Sequence, residues 1–118
     1  MQIMIGEMAA ALVSDVFYLR SVALVRVKGK NQAVKTFTVL GERKDGLSPE
    51  RERFLQLHEQ AMSAFRAREF DRARELFESA LQIEPGDFIA GDFLRSAMRY
   101  SQEPPPIDWD GVRVMTEK

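Results

Sequence analysis

FDRARELFESALQIEPGD, residues 70–87, places Phe70, Ala73, Phe77, Ala80 and Leu81 at intervals of three and four. That spacing lines one face of a helix with apolar side chains. Pro85-Gly86 stops the helix, and Asp87 can cap the next one, which carries Ala90, Phe93, Leu94, Ala97 and Met98. Upstream, Ser48-Pro49-Glu50 has the chemistry of a helix start: a hydroxyl to accept a free amide hydrogen, a proline with preset φ, and a carboxylate facing the positive end of the dipole. Phe54, Leu57, Ala61, Ala64 and Phe65 continue from it at helical spacing. The connections between these helices are only a few residues long, so the three are expected as antiparallel neighbours in a module over residues 49–101.

Ahead of this module the period changes. Asp15 to Leu40 is dense in Val, Phe, Tyr, Leu and Thr, which suit a half-buried pleated surface. Phe17, Leu19, Val22 and Leu24 run near period two, Lys28-Gly29-Lys30-Asn31 has turn chemistry, and Val34 to Leu40 is the return strand. Gln2 to Ile5 is expected as a short strand and Glu7 to Val13 as a short helix. Residues 1–41 therefore read as strand, helix, strand, turn, strand. Gly41-Glu42-Arg43-Lys44-Asp45-Gly46 is polar, bounded by glycines and aperiodic, which marks a linker over residues 42–48. Residues 102–118 open on Gln102-Glu103-Pro104-Pro105-Pro106, where the consecutive prolines forbid helix and favour an extended polyproline conformation. This tail holds the only tryptophan, Trp109, with Val112, Val114 and Met115 available as a short extended segment, and the stretch from Ile107 to Met115 is expected to dock back on the chain. The fold class is α+β: a short helix and antiparallel hairpin, then a three-helix antiparallel module.

Composition excludes several functions. The 118 residues are 45% hydrophobic and 30% charged, with Lys+Arg 17 against Asp+Glu 18 and a net charge of −1, an ordinary globular balance that gives a nucleic-acid role no support. With no cysteine and one histidine there is no thiolate site, no cysteine nucleophile and no metal cluster to assemble. Met1 to Val13 is apolar but lacks a basic leader region and is interrupted by Glu7, so neither a signal peptide nor a membrane span is expected, and a cytoplasmic location is. Arg51, Arg53, Arg66, Arg68, Arg72 and Arg74 alternate with glutamates as solvated helix faces.

The helical half resembles a tetratricopeptide (TPR) repeat, whose pattern of about 34 residues puts small side chains where two helices cross. Leu57, Ala61, Phe65, Phe70, Ala73, Phe77, Ala80 and Pro85 fall on the usual positions, with Ala61 where glycine is usual and Arg68 near a turn where glycine is frequent. In such modules the inner face of the first helix commonly holds a partner peptide, and here that face maps onto Leu55, His58, Met62 and Arg66. A plainer alternative is that Leu55 and Met62 pack on the strand half and that His58 is a surface or boundary residue. One repeat and one further helix leave an apolar face to cover. The strand half, the Trp109 tail and a second copy of the chain are the candidates.

The first half resembles the end of the class III adenylate and guanylate cyclase catalytic domain. The matching runs are Ile3-Met4-Ile5-Gly6-Glu7, then Leu19-Arg20-Ser21-Val22-Ala23-Leu24-Val25-Arg26-Val27-Lys28-Gly29-Lys30, then Gln32-Ala33-Val34-Lys35-Thr36-Phe37-Thr38-Val39-Leu40-Gly41. The later LSPE helix start, the repeat-like pair and the PPPIDWDGVRVMTEK ending also look like the tail of bacterial cyclases. The resemblance implies that Lys28, first in the KGK motif, reaches the terminal phosphates of the nucleotide; a solvated turn lysine is the plainer reading of the same residue. It also implies that the metal-binding aspartates, the base-selecting pair and the transition-state residues belong to segments ahead of the matching runs. No catalytic or metal-binding residue and no cofactor is therefore expected in this chain, with Mg²⁺ only in a complete cyclase.

The expected function is a non-catalytic C-terminal module of an adenylate cyclase, its helices serving protein–protein or regulatory interaction. The expected partners are a protein or the upstream catalytic domain, or a second copy in a homodimer, with no nucleic acid and no direct membrane insertion. The alternative is a free-standing TPR adaptor that binds a peptide or self-associates. Residual nucleotide binding through Lys28 and Lys30 is the third, and two lysines in a hairpin lack a shaped pocket for it.

Overall fold

A computed structural model describes residues 4–27, 33–107, 109 and 112–115. The chain is α+β and divides into two compact units, one formed by the described residues of 1–46 and 111–118, the other by those of 47–110.

The strand unit starts with β1 (Met4–Gly6), α1 (Glu7–Val13), β2 (Phe17–Val27) and β3 (Ala33–Glu42). The β-rich composition of β2 and β3 gives a long antiparallel pair running from Phe17↔Glu42 to Arg26↔Ala33, with register shifts between Tyr18 and Leu19 and between Ser21 and Ala23. The expected turn, with Lys28, lies outside the described residues. β1 pairs antiparallel with the middle of β3, Met4 opposite Thr38 and Gly6 opposite Thr36. On the other side of β2 lies β4 (Val112–Met115), parallel to it, so the sheet order is β1-β3-β2-β4. Part of the expected extended tail is thus a strand, and Gln102 belongs to the preceding helix.

Two features of this unit are unusual. Arg20, Ser21, Thr36 and Thr38 are all buried, Arg20 stands in register with Thr38, and the Thr38 hydroxyl has no hydrogen-bond partner among the described residues. In α1 only Ala10 is buried, while Met8 is 84% exposed, Leu12 81% and Val16, just past the helix, 52%.

The expected linker over 42–48 proves to be structured at its start. Glu42 ends β3, and Arg43–Asp45 forms a single 3-10 turn. Arg43 fixes the turn: its amide donates to the Val16 carbonyl at 2.7 Å, its Nε donates to the Ser14 carbonyl at 2.7 Å, and its guanidinium lies 4.8 Å from the centre of the Tyr18 ring. Gly46 leaves the turn with φ 68° and ψ 178°, a region that side chains with a Cβ scarcely enter. Space around it is open, so Gly46→Ala is expected to lower stability by about 1–3 kcal/mol through the backbone alone. Gly86 is equally open and has no positive φ, so Gly86→Ala should be neutral or slightly stabilising. Urea midpoints of the two variants check this pair; equal midpoints would remove the backbone argument.

The helical unit consists of α2 (Pro49–Arg66), α3 (Phe70–Ile83) and α4 (Phe88–Gln102). The Ser48 hydroxyl accepts the Arg51 amide hydrogen at 3.2 Å, and the Asp87 carboxylate accepts that of Ala90 at 2.8 Å, so both of these helices start on side-chain caps. α3 packs on both α2 and α4. Ala61, Ala73, Ala80, Ala90 and Ala97 are wholly buried, and side chains this small let helix axes approach to about 8–10 Å. Phe54, Phe65, Phe70, Phe77 and Phe93 fill the space between. No helix of the described residues is long and apolar enough to cross a membrane.

Candidate functional site

α2 ends on an arginine in the left-handed region. Arg68 has φ 66°, the one positive φ at a non-glycine among the described residues. The Glu69 amide donates to the Ala64 carbonyl at 2.9 Å and the Arg68 amide to the Phe65 carbonyl at 3.1 Å, the Schellman arrangement in which glycine usually takes the position of Arg68. The side chain shows what an arginine can add there. Its Nη2 donates to the Pro105 carbonyl at 2.8 Å and its Nη1 to the Pro106 carbonyl at 3.0 Å. Net of competition from water, such bonds contribute about 0.5–1.5 kcal/mol each, so the two together offset the left-handed cost of about 1–2 kcal/mol.

The guanidinium also lies 5.7 Å from the centre of the Trp109 ring. Trp109 sits among Phe65, Phe70 and Tyr100, each with its ring centre 5.6 Å away and tilted by 60° or more. The Trp109 amide donates back to the Pro106 carbonyl at 2.9 Å, closing a turn that brings the indole into this seat. Phe65 and Phe70 meet edge to face at 5.5 Å, and Tyr100 closes the far side at 5.3 Å from Phe70. An open cleft beside the seat is lined by Arg68, Phe70, Asp71, Tyr100, Ser101 and Pro104. The helical unit thus holds the proline segment by its main-chain carbonyls and one aromatic anchor, and Trp109 covers the rings of Phe65, Phe70 and Tyr100.

No family model, curated protein or solved structure matches the chain.

The residues singled out for partner binding do not form one surface. His58 and Met62 are buried in the core of the helical unit, contrary to the accessible inner face expected for them. His58 stacks on Phe54 at 6.2 Å and meets the edge of Phe77 at 5.9 Å. The physical reason is stripe width: Phe54, His58, Ala61, Met62 and Phe65 recur at three- and four-residue intervals, so His58 and Met62 belong to the stripe that α2 buries. Leu55 and Arg66 remain half-exposed. Burial lowers the pKa of the Arg66 guanidinium, against the opposing pull of the Glu59 carboxylate. Lys28, the expected phosphate contact, lies outside the described residues. Among the described residues no group of three or more His, Asp or Glu side chains is placed to hold a metal ion.

Proposed function

We propose that this chain is the C-terminal module of a class III nucleotide cyclase: a strand unit that completes a catalytic sheet, and a TPR-like helical unit that serves protein–protein or regulatory interaction. The parent reaction would be conversion of ATP to cyclic AMP, with Mg²⁺ and the catalytic carboxylates supplied by the upstream segment. The observation that carries the reading is the open apolar face of α1, where Met8 and Leu12, one helical turn apart, stand out from a sheet that buries Arg20, Thr36 and Thr38. Supporting it are the order strand, helix, strand, strand, and the place of the KGK run in the sequence between the paired residues Arg26 and Ala33. The wholly buried Ala61, Ala73 and Ala80, with Pro85 just past α3, support the TPR-like reading of the helices.

The test is reconstitution. A class III catalytic segment that ends just ahead of its own strand equivalent to Met4–Gly6 is joined to this chain, and ATP turnover is measured. The joined protein is expected to make cyclic AMP where the segment alone does not, and Lys28→Ala in it to lose roughly 10²-fold in turnover. A joined protein no more active than the segment alone would sink the reading. The adaptor alternative has one observation in its favour, the proline segment already held by Arg68 and Trp109, and it calls for a peptide ligand of the unextended chain.

A further inference from the structure

Ala90, Phe93 and Ala97 bury one side of α4, and diametrically across the helix stand Phe88, Asp92 and Arg95 at i, i+4 and i+7, with Gly91 and Met98 along one flank. Phe88 is 76% exposed and Met98 48%, Arg95 is exposed and Asp92 half-exposed. Read from Phe88 to Met98, this stripe runs apolar, acid, base, apolar over about 15 Å of helix. Turned end over end about a two-fold axis, it is its own complement. Asp92 of one copy then meets Arg95 of the other, Arg95 meets Asp92, and each Phe88 meets a Met98. Within one chain Asp92 and Arg95 already pair at 3.5 Å, but a carboxylate has two oxygens and a guanidinium five N–H groups, so each can take a second partner as well. Gly91 adds an independent sign. Its φ is not positive, and a Cβ there would meet nothing nearer than the Arg95 Nη1 at 3.9 Å. Neither its backbone nor the packing of its own chain calls for glycine, which weakens a helix interior relative to alanine; a second helix approaching on that flank does call for it.

We propose that the exposed face of α4 is an isologous interface between two copies of this chain, the two α4 helices lying antiparallel and crossing near Asp92 and Arg95. Charge selects this occupant. A partner segment of one sign satisfies one of the two charges and repels the other, whereas the same helix reversed satisfies both. The antiparallel arrangement also sets the two helix dipoles against each other. This interface is independent of the cyclase reading and uses a different face from that of Met8 and Leu12 on α1. One helix pair buries less than the roughly 1,200–2,000 Å² of stable complexes, so the association is a weak one, half complete at roughly 10–100 µM chain.

Light scattering of the full chain from about 1 µM to about 1 mM is expected to show the mass rising to two chains and no further. Asp92→Arg sets two arginines opposite each other and Arg95→Asp sets two aspartates opposite each other, so each variant alone is expected to remain a single chain at about ten times the concentration that half-pairs the parent. Mixed in equal amounts, the two variants bring opposite charges together at both contacts, and the two-chain mass is expected to return. That recovery is specific to a two-fold axis between positions 92 and 95. A parent that stays single throughout, growth beyond two chains, charge variants that pair like the parent, or a mixture that stays single while both variants are helical by circular dichroism would each overturn the proposal. Should a charge variant fail to fold, Gly91→Leu takes its place: it fills the open flank without touching the core of its own chain, and is expected to keep the helical signal and lose the pair. Pairing of Gly91→Leu at the parent's concentration overturns the interface equally.

Discussion

Phe77→Ala is expected to leave the helical unit largely unfolded at 25 °C. Phe77 is wholly buried on α3, stacked with Phe93 of α4 at 5.9 Å and touching the edge of His58 of α2 at 5.9 Å, so one ring ties three helices together. Removing a buried phenylalanine costs about 3–5 kcal/mol, and paired rings add about 0.5–1.5 kcal/mol beyond their area. The unit spans only residues 47–110, and a core of that size rarely supplies more than about 3–5 kcal/mol. The ion pairs cannot make up the difference. Arg51–Glu84, Arg74–Glu78 and Arg95–Asp92 lie at 3.5–3.6 Å on partly exposed side chains, worth about 0–1 kcal/mol each. Phe77→Leu keeps most of the volume and should fold with a lowered midpoint. Helical circular dichroism during urea unfolding separates the two, and a Phe77→Ala curve close to the parent's would mean that the helices are not held by this stack.

What could be read in advance depended on how local its cause is. The helices were legible because their causes lie within a few residues: three- and four-residue spacing along Phe70 to Leu81, the Ser48-Pro49 start, and the Asp87 cap, whose hydrogen bond to the Ala90 amide is present. The hairpin strands were legible from their composition. The burial of His58 and Met62 on α2 is not legible in the sequence, because spacing shows that a stripe exists whereas its width depends on how many neighbours pack on it, which α3, α4 and the Trp109 segment decide together. The extended character of Val112, Val114 and Met115 is legible, but nothing local to Val112–Met115 names β2 as its partner or sets the parallel direction, because that partner is so distant in the chain. The Arg68 seat was hidden for a different reason. Its conformation is the one glycine would announce, and an arginine there reads as one more charge on a solvated face.

Met8→Gln together with Leu12→Gln is expected to abolish ATP turnover in the reconstituted cyclase while leaving the isolated chain as stable as before. At 84% and 81% exposed, the two side chains contribute little to the strand unit itself, and exposed substitutions of this kind usually stay within about 0.5 kcal/mol. Glutamine keeps good helix propensity, so α1 is not weakened. Against a catalytic segment the balance reverses. Burying a leucine or methionine contributes about 1.5–3 kcal/mol, so two of them account for about 3–6 kcal/mol, or roughly 10²–10⁴-fold in association. An unpaired glutamine amide in that interface adds a desolvation cost of about 1–3 kcal/mol. The contrast between intact stability and lost turnover is what distinguishes a docking face from a merely exposed one. A double variant that turns over ATP like the parent would show that α1 does not meet the catalytic segment, whereas one that loses turnover and is restored by Met8 and Leu12 reinstated singly in steps would assign each residue its share.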